Sequence, residues 1–251
     1  MRVLIILSAL LVDQGLAPSA NAGAWTRAPG STFTSQSVKF FTTEFTSDTS
    51  PSFRKVATSS YLEYGLTDAV TLGGELDYAL RADGAEEGLI RAFARARVWR
   101  GEAGDVVSAE ISGGYPALNA LSPVAAARDV TPDAKLGVAY GRGLPWGAGG
   151  WAEASLAFRH RMDSPADEIK LDLTLGWRPN EDFLLIGQIF GTLGLRNEGP
   201  FGANYDALKL SLSAGYVLSE RRTLLLAIAQ DAFGRNIDLG TEIGVTIWTE
   251  F

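Results

Sequence analysis

The sequence predicts an all-β fold, a transmembrane antiparallel up-and-down β-barrel of about twelve strands, and three features predict it. From residue 32 onward, segments of about ten residues alternate apolar with polar or small side chains. No segment beyond the N-terminal leader is long and apolar enough for a membrane helix. The connections between segments are short and longer in turn, as hairpins on the two sides of a membrane are.

The leader comes first. Arg2 precedes an apolar run over residues 3–12, and the small-residue site Ala20-Asn21-Ala22 follows. A run of about ten residues is half of what a membrane helix needs. It therefore reads as a signal peptide over residues 1–22, cleaved before Gly23, leaving 23–251 as the barrel domain. The longest later apolar stretch, residues 183–195, is broken by Gln188 and three glycines. If the rest of the chain lies in a membrane it must do so as a closed barrel, since only helices and barrels satisfy every backbone group in lipid.

The strands follow from the two-residue period, which a helix of about 3.6 residues per turn would scatter. They are predicted at 32–46, 53–65, 70–81, 88–100, 105–116, 134–143, 150–161, 167–178, 183–195, 205–217, 222–233 and 236–251. In the last, Ile237, Leu239, Thr241, Ile243, Val245, Ile247, Thr249 and Phe251 share one face, while Asp238, Glu242, Trp248 and Glu250 share the other. Residues 169–177 and 208–216 split the same way, Leu171 and Leu210 opposing Asp172 and Lys209. Connections at 66–69, 101–104, 144–149, 179–182 and 218–221 are tight; those at 47–52, 82–87, 117–133, 162–166 and 196–204 are mostly longer. A final hairpin around Gly234-Arg235 is short on the otherwise long side. The loop between Pro116 and Pro132 is of a length that folds into a barrel, meets a partner or stands exposed.

A soluble β-sandwich or lipocalin-like barrel also alternates. It buries its apolar face, however, and needs bulk inside, whereas the polar face here is rich in glycine, serine, alanine and charge. Tyr64, Trp177, Tyr216 and Phe251 beside short turns, and Tyr78 and Tyr115 near the longer loops, fit interfacial aromatic girdles. With 46% hydrophobic residues and a formal charge of −7 the chain is not of disordered composition. The acidic pI near 4.9 argues against nucleic acid as a partner. The absence of cysteine excludes thiolate chemistry, and a single histidine argues against a transition-metal site, so no cofactor is expected.

The C-terminal run Val245-Thr246-Ile247-Trp248-Thr249-Glu250-Phe251 resembles the assembly signal of Gram-negative outer-membrane proteins. That resemblance implies outer-membrane lipid around the chain, recognition of Phe251 by the barrel-assembly machinery, and a porin-like architecture. Gly23-Ala24-Trp25-Thr26 and Tyr61-Leu62-Glu63-Tyr64-Gly65-Leu66-Thr67-Asp68 resemble a group of proteobacterial envelope proteins, some linked to exopolysaccharide production. A polar solute or polysaccharide is the partner this implies.

Charges at membrane depth must face water or one another, and the alternation turns two groups of them inward. Glu75 and Asp77 face Arg91, Arg95 and Arg97 on the next strand, with Glu75 opposite Arg95 for a turn centred near Ala85. Glu153, Arg159, Arg161, Lys170, Asp172 and Lys209 form the second group. Such residues either line an eyelet that selects solutes or form a neutralised network that stiffens the wall. About twelve strands should enclose a narrow lumen. The predicted function is an outer-membrane channel or export-associated barrel for a small or extended polar solute, the alternative a closed barrel with a structural or surface-binding role. No catalytic residue is expected: His160 faces outward near a rim, and a carboxylate enzyme would have to use Asp163, Asp167 and Glu168 of that rim.

Overall fold

The alternation resolves into twelve antiparallel strands in the computed structural model, which describes residues 23–43, 54–102, 104–117, 131–162, 165–199 and 204–251. In order they are β1 (Thr32–Thr43), β2 (Arg54–Thr67), β3 (Val70–Arg81), β4 (Glu86–Arg100), β5 (Val106–Pro116), β6 (Asp133–Leu144), β7 (Gly149–Arg161), β8 (Glu168–Arg178), β9 (Phe183–Gly194), β10 (Asp206–Ser219), β11 (Arg222–Arg235) and β12 (Gly240–Glu250). Each pairs with its sequence neighbours, and β1 pairs with β12, so the sheet closes on itself. Closure leaves no edge of unpaired N–H and C=O groups, the condition for crossing lipid with strands. The seam is completed by Thr32 and Phe251, whose amides each donate to the other's carbonyl, at 3.1 and 2.8 Å.

Period two decides what each face meets. Val98, Ile111, Leu136 and Leu212 are each more than 60% exposed on the outer surface, and similar side chains continue around every strand. In water each large apolar side chain so displayed would forgo about 1.5–3 kcal/mol of burial, and a continuous belt exceeds what soluble monomers show. The outer face is a surface for hydrocarbon, and the soluble sandwich or lipocalin reading fails on this orientation. Leu171 and Leu210 are among the outward residues.

One end of the barrel, here the proximal end, carries Thr32, Phe251 and the short connections. Tyr64, Trp99, Trp146, Trp177, Tyr216 and Phe251 are exposed there, and Phe183 meets Tyr216 edge to face at 5.4 Å. Tyr115 is exposed near the other, distal end, where Tyr78 is half-buried. Rings at these two levels suit the membrane interfaces. The distal connection 44–53 and most of the 116–132 loop lie outside the described residues.

Three sequence expectations are corrected. β12 begins at Gly240 rather than at 236. Asn236, at φ 61°, turns the chain, and Ile237 and Leu239 fold back over Gly234 rather than continuing the outward face. The β3–β4 connection is only residues 82–85, turned by Gly84 at φ 83°, so Glu75 pairs with Arg91 and Arg95 with Thr71. Finally, the inner face is not uniformly small: Trp151, Leu184, Ile186 and Leu225 form a buried cluster inside the proximal end, joined by Trp25 and Trp248. The wall makes room for these rings with glycine, since a Cβ on Gly176 would collide with the Trp151 indole.

Candidate functional site: a lumen crossed by the N-terminal segment

Before β1 begins, residues 23–28 pass through the barrel interior. Ala28 lies against the β2 wall, where a Cβ on Gly65 would strike its carbonyl. The Thr26 hydroxyl donates to the Asp68 carbonyl at 2.7 Å, and the Arg27 amide donates to Thr71 Oγ1 at 2.8 Å. Trp25 reaches the far wall, its ring 2.6 Å from where a Cβ on Gly141 would sit. Gly23 ends beside Glu153 of β7. The segment therefore bridges opposite walls just inside the proximal end, resting on the Trp151–Leu184–Leu225 cluster.

Its central fastening is ionic. Arg27 Nε donates to Glu63 Oε2 at 2.5 Å, and its guanidinium lies 4.3 Å from the Phe33 ring centroid. Arg95 Nη1 donates to Glu63 Oε1 at 2.7 Å and to the Trp25 carbonyl at 3.4 Å; its Nη2 donates to Glu110 Oε2 at 2.9 Å. The Tyr61 hydroxyl donates to Glu63 Oε1 at 2.6 Å. Arg95 and Glu63 are both almost wholly buried, at 5% and 3% side-chain exposure. Such a pair holds only because each charge is hydrogen-bonded on more than one side. The two stretches singled out by resemblance, 23–26 and 61–68, thus meet directly at Thr26 and Asp68 and through Arg95, which holds both the Trp25 carbonyl and Glu63.

On the distal side of the segment lies a cavity of about 240 Å³ walled by Glu75, Arg91, Arg95, Glu110, Lys135, Glu153, Lys170 and Asp172, with Tyr61 and Phe93 on one flank. Lys135 pairs with Glu110 at 3.1 Å, and Lys170 donates to Thr192 at 2.9 Å. Above it Asp133, its side chain fully buried, accepts from Arg91 at 2.7 Å and from Arg159 at 2.5 Å. Glu168 accepts from Arg159 at 3.2 Å and Arg161 at 3.0 Å. Across the barrel Lys209 lies 3.9 Å from Asp231 and 3.7 Å from Glu242, and Lys39 lies 3.4 Å from Glu242.

The ten residues predicted to line the lumen are therefore distributed over five places. Glu75, Arg91, Arg95, Lys170, Asp172 and Glu153 border the cavity. Arg159 belongs to the arginine–carboxylate cluster above it, and Lys209 to the opposite wall. Asp77 follows Glu75 at the next inward position, and Arg97 follows Arg95 toward the proximal end. Sequence reasoning missed Arg27, Glu110, Asp133 and Lys135, together with the role of Glu63. The signal that could have revealed the crossing segment is the set of inward glycines, Gly65, Gly141 and Gly176, each opposite something bulky.

At the distal rim Glu168 turns inward to its arginines, while the next residue back, Asp167, turns outward to His160 Nδ1 at 2.8 Å. Asp163 lies outside the described residues. Asp167 and Glu168 thus face opposite sides of the wall and do not present paired acids to one substrate. Partial burial would push the Asp167 carboxyl up, but the Asn197 amide at 2.8 Å, the Arg161 N–H at 2.9 Å and His160 outweigh it and hold it below its usual value. A lowered carboxylate stabilises the fold above its unfolded pKa of about 3.9 and loses that contribution as pH falls through the folded value. Exchange protection of the Arg161 amide should accordingly be constant from neutral pH down to about 4 and fall severalfold below it. Asp167→Ala should remove that protection at neutral pH.

No family model and no curated protein matches the chain. Solved structures share its architecture. The COG4313 outer-membrane channel from Pseudomonas putida F1 superposes with a TM-score of 0.65 at 14% identity, over 93% of this chain and 100% of that one. The KdgM porin, in complex with disordered oligogalacturonate, gives 0.59 at 6% identity over 86% and 99%. The NanC porin gives 0.59 at 6% identity over 85% and 98%. The fold is that of porin-like outer-membrane β-barrels.

Proposed function

We propose that the chain is exported with removal of residues 1–22 and works in the outer membrane of a Gram-negative bacterium as a channel for small polar solutes. The proximal end would face the periplasm, as the short turns do in such barrels. One observation carries this reading: a charge-lined cavity inside a closed barrel whose outside suits only lipid. The likeness to channel and porin structures supports it. With residues 23–28 across the lumen, the space beside them fits a small solute rather than an extended polysaccharide. Glu75, Arg91, Lys170 and Asp172 line the path, and Arg91, Lys135 and Lys170 are among its cationic contacts.

Purified protein in planar bilayers tests the proposal. Discrete conductance steps are expected, and Lys170→Glu should move the reversal potential in a salt gradient toward cation preference, because a carboxylate replaces an ammonium on the cavity wall. Arg95→Glu is a poorer probe of selectivity, since Arg95 is already neutralised by Glu63 and Glu110. A second reading, a closed structural barrel, is favoured by the mutual neutralisation of the lumen charges and the apolar floor under Trp25. Absence of conductance, even after the segment is loosened, would establish it and overturn the channel.

A further inference from the structure

The crossing segment ends on a carboxylate, Glu153, one of whose oxygens lacks a hydrogen-bond partner. Gly23 lies so close to Glu153 that a Cβ there would collide with Oε1 and sit 3.2 Å from Oε2. The Ala24 amide donates to the same carboxylate, yet Oε2 is buried with no hydrogen bond. Glu63 and Asp172 add negative charge nearby, and the neighbouring cation, Arg95, is already divided between Glu63 and Glu110. A carboxylate taken out of water calls for a charged donor, because one neutral N–H leaves most of its lone pairs unsatisfied.

Hydrolysis of the Ala22–Gly23 bond by a leader peptidase would supply that donor. Water adds across the amide; Ala22 leaves with a carboxylate, and the Gly23 nitrogen, formerly an uncharged amide, takes up a proton and becomes an α-ammonium with three N–H groups. We propose that the α-ammonium of mature Gly23 is the missing ion-pair partner of Glu153, so that removal of the leader latches the segment across the lumen. Glycine suits this terminus, because any larger residue would meet the carboxylate with its Cβ. The inference rests on the reading that cleavage falls before Gly23, and its test separates the two.

Mature protein purified from outer membranes is treated with an acetylating amine reagent, and the N-terminal peptide is followed by mass spectrometry. The expected result is a chain beginning at Gly23 whose α-amine reacts about tenfold more slowly than in Glu153→Gln, where the charge partner is gone. Insertion of one alanine between Ala22 and Gly23 is a second variant, leaving Glu153 intact while shifting the amine by about 3.5 Å; it should react like Glu153→Gln and decides the matter if that variant fails to fold. A mature chain beginning elsewhere overturns both the cleavage site and the latch. A chain beginning at Gly23 whose amine reacts as fast as the variants' overturns the latch alone. Bilayer current judges the channel reading independently of either.

Discussion

For the channel proposed above, Trp25→Ala should convert brief openings into a lumen that stays open. Trp25 seats the crossing segment by filling the recess at Gly141 and packing on Trp151, Leu184, Ile186 and Leu225. Truncating an indole that is partly rather than fully buried costs about 2–3 kcal/mol. The loss falls on the seated state alone, since a displaced segment leaves the ring in water either way. At 1.4 kcal/mol per tenfold, the ratio of displaced to seated segment rises roughly 30- to 150-fold. Single-channel recording reads this as open probability. An unchanged open probability would mean that the segment does not limit passage.

Arg95→Met should be the most destabilising single change in the lumen. It leaves Glu63 with Arg27 and Tyr61, Glu110 with Lys135, and the Trp25 carbonyl without its guanidinium contact. Removing one partner from a buried charge network costs about 3–5 kcal/mol, because Glu63 and Glu110 each drop from two cationic partners to one while staying out of water. Urea unfolding in detergent micelles should show that loss, and adding Glu63→Gln should recover part of it by replacing a buried carboxylate short of donors with a neutral amide. The same double substitution takes the Glu63 carboxylate from Arg27, whose other contacts include Glu250 at 4.0 Å and the Phe33 ring, so it should restore part of the stability without restoring a seated segment. Stability and open probability are then separately measurable consequences of one guanidinium.

The wall was legible because its code is redundant. Twelve segments each repeat the same two-residue pattern, and one misplaced boundary, as at Gly240, does not disturb the faces of the others. Register was harder. Glu86 and Glu87 read as loop because they are polar, yet they open β4, and this shift moved Arg95 from Glu75 to Thr71 and Arg91 into its place. The crossing segment was illegible for a different reason. Residues 23–28 have no periodicity, and their partners Glu63, Arg95, Gly141 and Glu153 are scattered over four strands, so only the closed barrel brings them together. Asp133 looked like the edge of a loop, and its burial follows from two arginines on β4 and β7 that no local pattern connects to it.

The recesses at Gly65, Gly141 and Gly176 are cut from the inside only. On each strand their neighbours one step away, such as Tyr64, Leu66, Tyr140 and Trp177, still present an unbroken greasy exterior. Because odd and even positions answer to different solvents, the furnishing of the bore can be rewritten without altering what the bilayer touches. A designer could evict the occupant and install another, and the shell would insert as before.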